Sequence, residues 1–290
     1  MRRILNQVRP DIVHISTEGP LGWSARAWCI ANNMPFTTAF HTRFPDYAAA
    51  RTGLSAERFW PLMRQFHAPS SAVLVATQGL CDELRERGIT GTRIWSRGVD
   101  LDLFHPEQPP HSAMYNLAKP VMLSVGRVAI EKNLDAFLSA DVPGSKVVVG
   151  DGPMLAQLAS KYPDILFLGK LAGAELAAAY SAADLFVFPS RTDTFGLVMV
   201  EAMASGVPVA GYPVAGPLDV VGDAGNGPNG IYAGQVGALD EDLSVAIKAA
   251  LDCTAEDCVA AAHYYDWDNT VDQFVSALSD AMQPLLQKAA

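Results

Sequence analysis

A chain of 290 residues, 50% hydrophobic and 18% charged, exceeds one average domain and can bury a sizeable core, so two domains joined by a short linker are expected. It contains no run of about eighteen consecutive apolar residues that could span a bilayer. The formal net charge of −10 opposes a polyanionic partner, because a phosphate backbone is held by lysine and arginine in excess, and nucleic acid is not an expected ligand. Small phosphorylated ligands remain open, since two or three local cations suffice to hold them.

The opening Met1-Arg2-Arg3-Ile4-Leu5-Asn6-Gln7 is basic and runs into polar residues rather than a long apolar stretch. No secretory signal is read there, and a cytoplasmic protein is expected. Short apolar runs rich in β-branched residues then alternate with helical patterns, the signature of βαβ units around a parallel sheet. Strands are predicted at 11–16, 35–40, 72–77 and 92–96, and in the second part at 120–125, 145–149, 165–168, 184–188, 207–210 and 229–232. Helices are predicted at 80–87, 154–161, 174–182, 195–204 and 267–287. The boundary falls within 98–119, where Pro106, Pro109 and Pro110 cannot continue a helix. This divides the chain into 1–105, 106–266 and a C-terminal helix at 267–290 that can cross back to the first domain. Cys29, Cys81, Cys253 and Cys258 form no C-x-x-C pair, and reduced thiols without a metal are expected.

Ligands of parallel sheets bind at the carboxyl ends of the strands. Three such ends carry informative residues. In Ser124-Val125-Gly126-Arg127-Val128-Ala129-Ile130-Glu131-Lys132-Asn133-Leu134 a buried strand ends in glycine and opens a helix, with Lys132 near its start. A cation there opposes the macrodipole; an anion shared with Arg127 would supply the reason, and an ordinary surface salt bridge is the plainer account. Val149-Gly150-Asp151-Gly152-Pro153 reads as a tight strand-to-helix turn with Pro153 in the first turn. The strongest stretch is Phe188-Pro189-Ser190-Arg191-Thr192-Asp193-Thr194-Phe195-Gly196-Leu197-Val198-Met199-Val200-Glu201. Here a polar loop leads to a helix starting near Phe195, with Thr194 or Asp193 as its cap. Gly196 lets a diphosphate approach the free N–H groups at that helix start. Glu201, about two turns in, could accept hydrogen bonds from vicinal ribose hydroxyls. The bland alternative is a capping Asp193 and a solvated Glu201, although a glutamate among Leu197, Val198, Val200 and Met203 should be partly buried and need partners.

The set of Gly126-Arg127 with Glu131-Lys132, Gly150-Asp151-Gly152-Pro153, and Asp193-x7-Glu201 followed by Ala202-Met203-Ala204-Ser205-Gly206 resembles the retaining glycosyltransferases of the GT-B fold. That group includes bacterial mannosyl-, glucosyl- and sulfoquinovosyl-transferases. The similarity extends to Phe40-His41-Thr42-Arg43-Phe44-Pro45 and Arg97-Gly98-Val99-Asp100, and so covers most of the chain. It implies two Rossmann-like domains facing a cleft, an acceptor side at 1–105 and a nucleotide-sugar side at 106–266. Arg127 and Lys132 would then neutralise the leaving diphosphate with backbone N–H groups of Gly196 and Leu197. Asp193 would meet the donor sugar, Glu201 the ribose and backbone around Leu171 the base, while His41 would reach the transferred sugar. Glu131, Thr194 and Phe195 complete the donor-binding set. By itself His41 reads as a loop histidine with a structural hydrogen bond.

Two features depart from the family. Asp193 stands where glutamate is usual. The family also begins with a strand and a glycine-containing loop ahead of the elements seen here, so about three strands of a full Rossmann-like half are missing and the first domain reads as incomplete. The resemblance implies metal-independent, retaining transfer of a hexose from a UDP- or GDP-linked donor to a glycan or lipid acceptor, with no cofactor. Alternatives are a nucleotide-sugar-binding protein without turnover and an epimerase on the same fold. Segment 40–69 mixes Phe44, Tyr47, Phe59, Trp60 and Phe66 with Arg43, Arg51, Arg58 and Arg64. It could make a peripheral contact at the inner membrane face, or pack into the first domain and the cleft, which is favoured.

Overall fold

The computed structural model describes residues 1–193 and 195–289, and the chain forms two compact units. One comprises Met1–Ser96 with the helix from Asp268 onward; the other is Arg97–Trp267. Linker residues 98–119 lie within the second unit.

In the first unit the order is α1 (Arg2–Val8), β1 (Val13–Ile15), α2 (Pro20–Ala31), β2 (Phe36–Ala39), α3 (Phe44–Thr52), α4 (Trp60–His67), β3 (Ala72–Val75), α5 (Gln78–Glu86) and β4 (Thr92–Ile94). The four strands form a parallel sheet in sequential order, with Val13 opposite Phe36, Thr37 opposite Ala72, and Val73 opposite Thr92. Every residue of β2 and β3 is buried, as expected of a parallel sheet covered on both faces. The period-two alternation divides β3 between the faces: Val73 and Val75 join Phe40, Trp60, Met63 and Leu84, whereas Ala72 and Leu74 meet Ala277 of the C-terminal helix.

Among the aromatic residues of segment 40–69, Phe44 is exposed and Phe59 half-buried, while Tyr47 lies outside the residues whose side chains are described. Phe40, Trp60 and Phe66 are each at most 2% exposed, and a large apolar side chain so buried contributes about 1.5–3 kcal/mol. Arg87 lies over the Trp60 ring, and Arg43 forms a two-point ion pair with Glu83.

The second unit runs β5 (Val121–Val125), α6 (Leu134–Ser139), β6 (Ser145–Val149), α7 (Leu155–Lys161), β7 (Leu166–Gly169), α8 (Gly173–Ser181), β8 (Leu185–Phe188), α9 (Leu197–Ala204), β9 (Val209–Gly211), α10 (Ala215–Val220), β10 (Gly237–Leu239), α11 (Leu243–Ala250) and α12 (Ala255–Ala262). The chain then enters α13 (Trp267–Ala289), whose Phe274 and Ala277 at helical spacing face the first sheet. The second sheet is parallel, in the order β10-β9-β8-β5-β6-β7. Strands are added outward from β5 through β6 and β7, after which the chain returns to lay β8 against the other side of β5. The order therefore reverses between β5 and β8. Loops leaving these two neighbours diverge to opposite faces, which opens a crevice at their carboxyl ends.

Three expectations need correction. Residues 229–232 form no strand: Gly227, Asn229 and Gly230 all have positive φ and make a turn, and the sheet ends instead on β10. Ile231-Tyr232 resembles a strand only because Tyr232 is an apolar plug, buried with its hydroxyl on the Val220 carbonyl and the Tyr265 hydroxyl. Lys132 does not sit on a long helix, since a short 3-10 turn (Ile130–Lys132) and the left-handed Asn133 precede α6. Pro153 lies two residues ahead of α7, not in its first turn. Among the described residues no helix is long and apolar enough to cross a membrane.

Candidate nucleotide-sugar site

At the reversal point a cavity of about 180 Å³ is lined from both loops, by Gly126, Arg127 and Lys132 after β5 and by Pro189, Asp193, Gly196 and Leu197 after β8. Each half is fixed by residues whose roles are conformational. Asn133, in the left-handed region at φ 51, donates its Nδ2 to the Pro189 carbonyl at 3.1 Å; asparagine tolerates this conformation better than most residues. Buried Ser190 donates to the Glu131 carbonyl at 3.4 Å. These bonds tie the two loops to each other across the crevice.

The helix beyond the second loop begins at Leu197, later than expected. Its N-cap is Gly196 at φ 84, which makes no side-chain cap bond, so Asp193 is not the N-cap residue. Thr194 itself lies outside the described residues. Glycine is required at 196 because a Cβ there would stand 2.9 Å from the Phe188 ring as well as in a left-handed backbone. Asp193 is unavailable for capping because its carboxylate faces Lys132, whose Nζ is 2.6 and 2.7 Å from the two oxygens. Phe195 is not in the cavity; it is buried, ring to ring with Tyr265 at 5.8 Å. Helix α9 is apolar on nearly every side, with Met199, Val200, Ala202, Met203 and Ala204 buried, which anchors it rigidly. Its start, at Gly196, Leu197 and Val198, lines the cavity and carries the positive end of the helix dipole.

The charges are arranged unequally. Arg127 is two-thirds exposed and reaches Glu131 only at 3.7 Å, whereas the Lys132–Asp193 pair is partly buried. Arg191, from the same loop, stacks over Tyr212 at 3.7 Å and pairs with Glu241 at 3.0 Å.

Glu201 does not line this cavity. With the helix starting at Leu197 it is little more than one turn in, and fully buried Tyr180 donates its hydroxyl to Oε2 at 2.8 Å. Burial pushes the Glu201 carboxyl above its ordinary range, with the Tyr180 hydrogen bond acting in the opposite direction. A carboxylate whose folded pKa is raised destabilises the fold when ionised. That cost is absent below the unfolded carboxylate range and grows as pH rises toward the folded value. Glu201→Gln is therefore expected to leave the melting temperature at neutral pH unchanged or higher, an effect that fades near about pH 4. A lower melting temperature at neutral pH would show that the Tyr180 bond outweighs burial.

Leu171 lies between β7 and α8, half-buried, and is not among the residues lining the cavity. His41 belongs to the first unit, just after β2, with its ring 5.3 Å from that of Trp95. Ser190, Asn133 and Tyr180 were not anticipated from sequence. The only signal for Asn133 was an asparagine at a strand-to-helix corner, and nothing local marks Tyr180 as the partner of Glu201.

Comparison with known proteins agrees with this arrangement. Residues 119–252 match the model for glycosyl transferases group 1, and residues 1–103 match that for glycosyltransferase family 4. A GDP-mannose-dependent alpha-mannosyltransferase of Corynebacterium glutamicum is 33% identical over 285 residues, covering 95% of this chain and 67% of that protein. Sulfoquinovosyl transferase of Arabidopsis thaliana is 31% identical over 245 residues, 79% of this chain and 48% of its own length. The chain thus spans between about half and two thirds of these relatives. The structure of Anabaena HepE in complex with UDP superposes with a TM-score of 0.72 at 19% identity, covering 96% of this chain and 81% of that one, a likeness of fold. With two parallel α/β sheets of the GT-B type and both family models matched in sequence, the chain belongs to the group 1 glycosyltransferases.

Proposed function

We propose that the chain binds a UDP- or GDP-linked hexose in the crevice between β5 and β8 and serves transfer of that hexose to a glycan or lipid acceptor, with retention of anomeric configuration. The observation that carries this reading is the convergence of Arg127, Lys132 and the start of α9 on one cavity. Two cations and a helix N-terminus answer the two charged phosphates of a leaving nucleoside diphosphate, and fixed charges in a partly water-excluded site stabilise the charge that develops as the glycosidic bond breaks. This is the stabilisation a divalent metal would otherwise supply, so we assign the step to side chains and backbone alone. Asp193 would accept hydrogen bonds from the sugar, and the backbone around Leu171 would meet the base. Glu201, whose Oε2 accepts from the Tyr180 hydroxyl, would offer Oε1 to a ribose hydroxyl beyond the cavity, so wild type should prefer ribose to 2′-deoxyribose nucleotides and Glu201→Gln should lose that preference.

The corynebacterial relative is by name GDP-mannose-dependent, so GDP-mannose is the first donor to test, with UDP-glucose beside it. Incubation of the chain with each donor and a lipid or glycan extract should release the nucleoside diphosphate and yield an α-linked product by NMR. A β-linked product would remove retention, recovery of an epimerised donor would favour an isomerase, and saturable binding without release would favour a binding protein.

A further inference from the structure

Lys132 and Asp193 are opposed across the crevice and already hold each other. An ammonium has three N–H donors, and two of them lie on the carboxylate oxygens of Asp193 at 2.6 and 2.7 Å. On the donor-site reading above, each group also has a ligand of its own: the diphosphate for Lys132, the sugar hydroxyls for Asp193. We infer that Asp193 makes the crevice favour a sugar-bearing donor over the spent nucleoside diphosphate, by recapturing Lys132 whenever no sugar is present.

The surroundings allow the exchange without loop movement. Asn133 on Pro189 and Ser190 on Glu131 tie the two loops independently of the ion pair, and Arg191 is anchored by Glu241 and Tyr212. Parting the pair therefore needs only rotation of the flexible lysine stem. Arg127, held only by a 3.7 Å contact with Glu131, is not gated in this way. When the whole donor binds, separation of the pair is offset at both ends, by phosphate on Lys132 and by hydroxyls on Asp193. When only the nucleoside diphosphate binds, Asp193 is left without a partner and faces phosphate. The product is thus held less firmly than the donor, and its release, a step that often limits turnover, is eased.

A double-mutant cycle separates this competition from plain repulsion between Asp193 and phosphate, because repulsion is lost equally whether or not Lys132 is present. The full chain is titrated calorimetrically with GDP, UDP, GDP-mannose and UDP-glucose, as wild type, Asp193→Asn, Lys132→Ala and the double variant, with Asp193→Ser as a second replacement. Asp193→Asn should tighten nucleoside diphosphate binding by about tenfold in the wild-type background and by several-fold less when Lys132→Ala is also present. The sugar nucleotide should not share that gain, so its advantage over the bare diphosphate falls. Equal gains in both backgrounds would mean repulsion alone, and no gain would mean that Lys132 bridges both groups. Either result overturns the inference and leaves the donor site standing. If Lys132→Ala changes diphosphate affinity in neither background, the donor-site reading fails and takes the inference with it.

Discussion

Lys132→Ala is expected to weaken binding of a nucleoside diphosphate by about ten- to a hundredfold, since a charge-assisted hydrogen bond in a partly desolvated site contributes roughly 1.5–3 kcal/mol. The loss is the contribution of the ammonium to the phosphate, net of what Lys132 gives up in leaving Asp193. Arg127→Ala should cost less, because its guanidinium is two-thirds exposed and works through a more aqueous medium. Calorimetry with GDP and UDP measures both effects, and the affinity should fall more steeply with added salt for the wild type than for either variant. Unchanged affinity in both variants would remove these residues from the site.

The largest effect on folding is expected at Gly150, the last step from β6 into its loop. Its φ is 144°, and a Cβ built there would stand only 1.8 Å from the Gly126 carbonyl oxygen. No rotamer relieves such a clash, because both partners are backbone. Gly150→Ala must therefore push away the Gly126 loop, which is one wall of the crevice, or break the bond from Gly150 N–H to the Gly169 carbonyl at 2.7 Å. A cost of about 3 kcal/mol or more follows, lowering the melting temperature by roughly 10 °C for a domain of this size. Nucleotide affinity should fall in parallel, since the displaced loop carries Arg127 and Lys132. A melting temperature within about 2 °C of wild type would show that the corner is more pliant than its packing suggests.

The contrast between these two sites follows what a sequence can carry. Strands β5, β6 and β8 are legible as short continuous apolar runs because both faces of a parallel sheet are covered, and turn residues bound them sharply. Alternation with helices marks the sheet as parallel and the glycine-rich ends mark where loops leave it, whereas the strand order, and with it the crevice between β5 and β8, is fixed only in the fold. Strand β10 is not legible: Gly237-Ala238-Leu239 is short and bears little side chain, while Ile231-Tyr232 nearby presents a stronger apolar signal for a tertiary reason, the burial of Tyr232 against Tyr265. The start of α9 was misjudged because Asp193 and Thr194 have the composition of a cap, yet Asp193 is drawn to a lysine 61 residues earlier. That pairing, like Tyr180 with Glu201, exists only once the sheet has brought β5, β8 and their loops together. Local chemistry in the sequence singled out Arg127, Lys132, Asp193, Gly196 and Leu197, which line the cavity, but the partner each one meets is settled by topology.

The central claim is that the crevice between β5 and β8 receives the diphosphate of a sugar nucleotide. It is tested most directly by titrating the chain with the nucleoside, the 5′-monophosphate and the 5′-diphosphate of guanosine and of uridine in parallel. The arrangement of Arg127, Lys132 and the start of α9 predicts one saturable site for at least one diphosphate, with the matching monophosphate weaker by about tenfold or more and the nucleoside weaker still. Equal affinity for nucleoside, monophosphate and diphosphate, or no binding of either diphosphate, would contradict it.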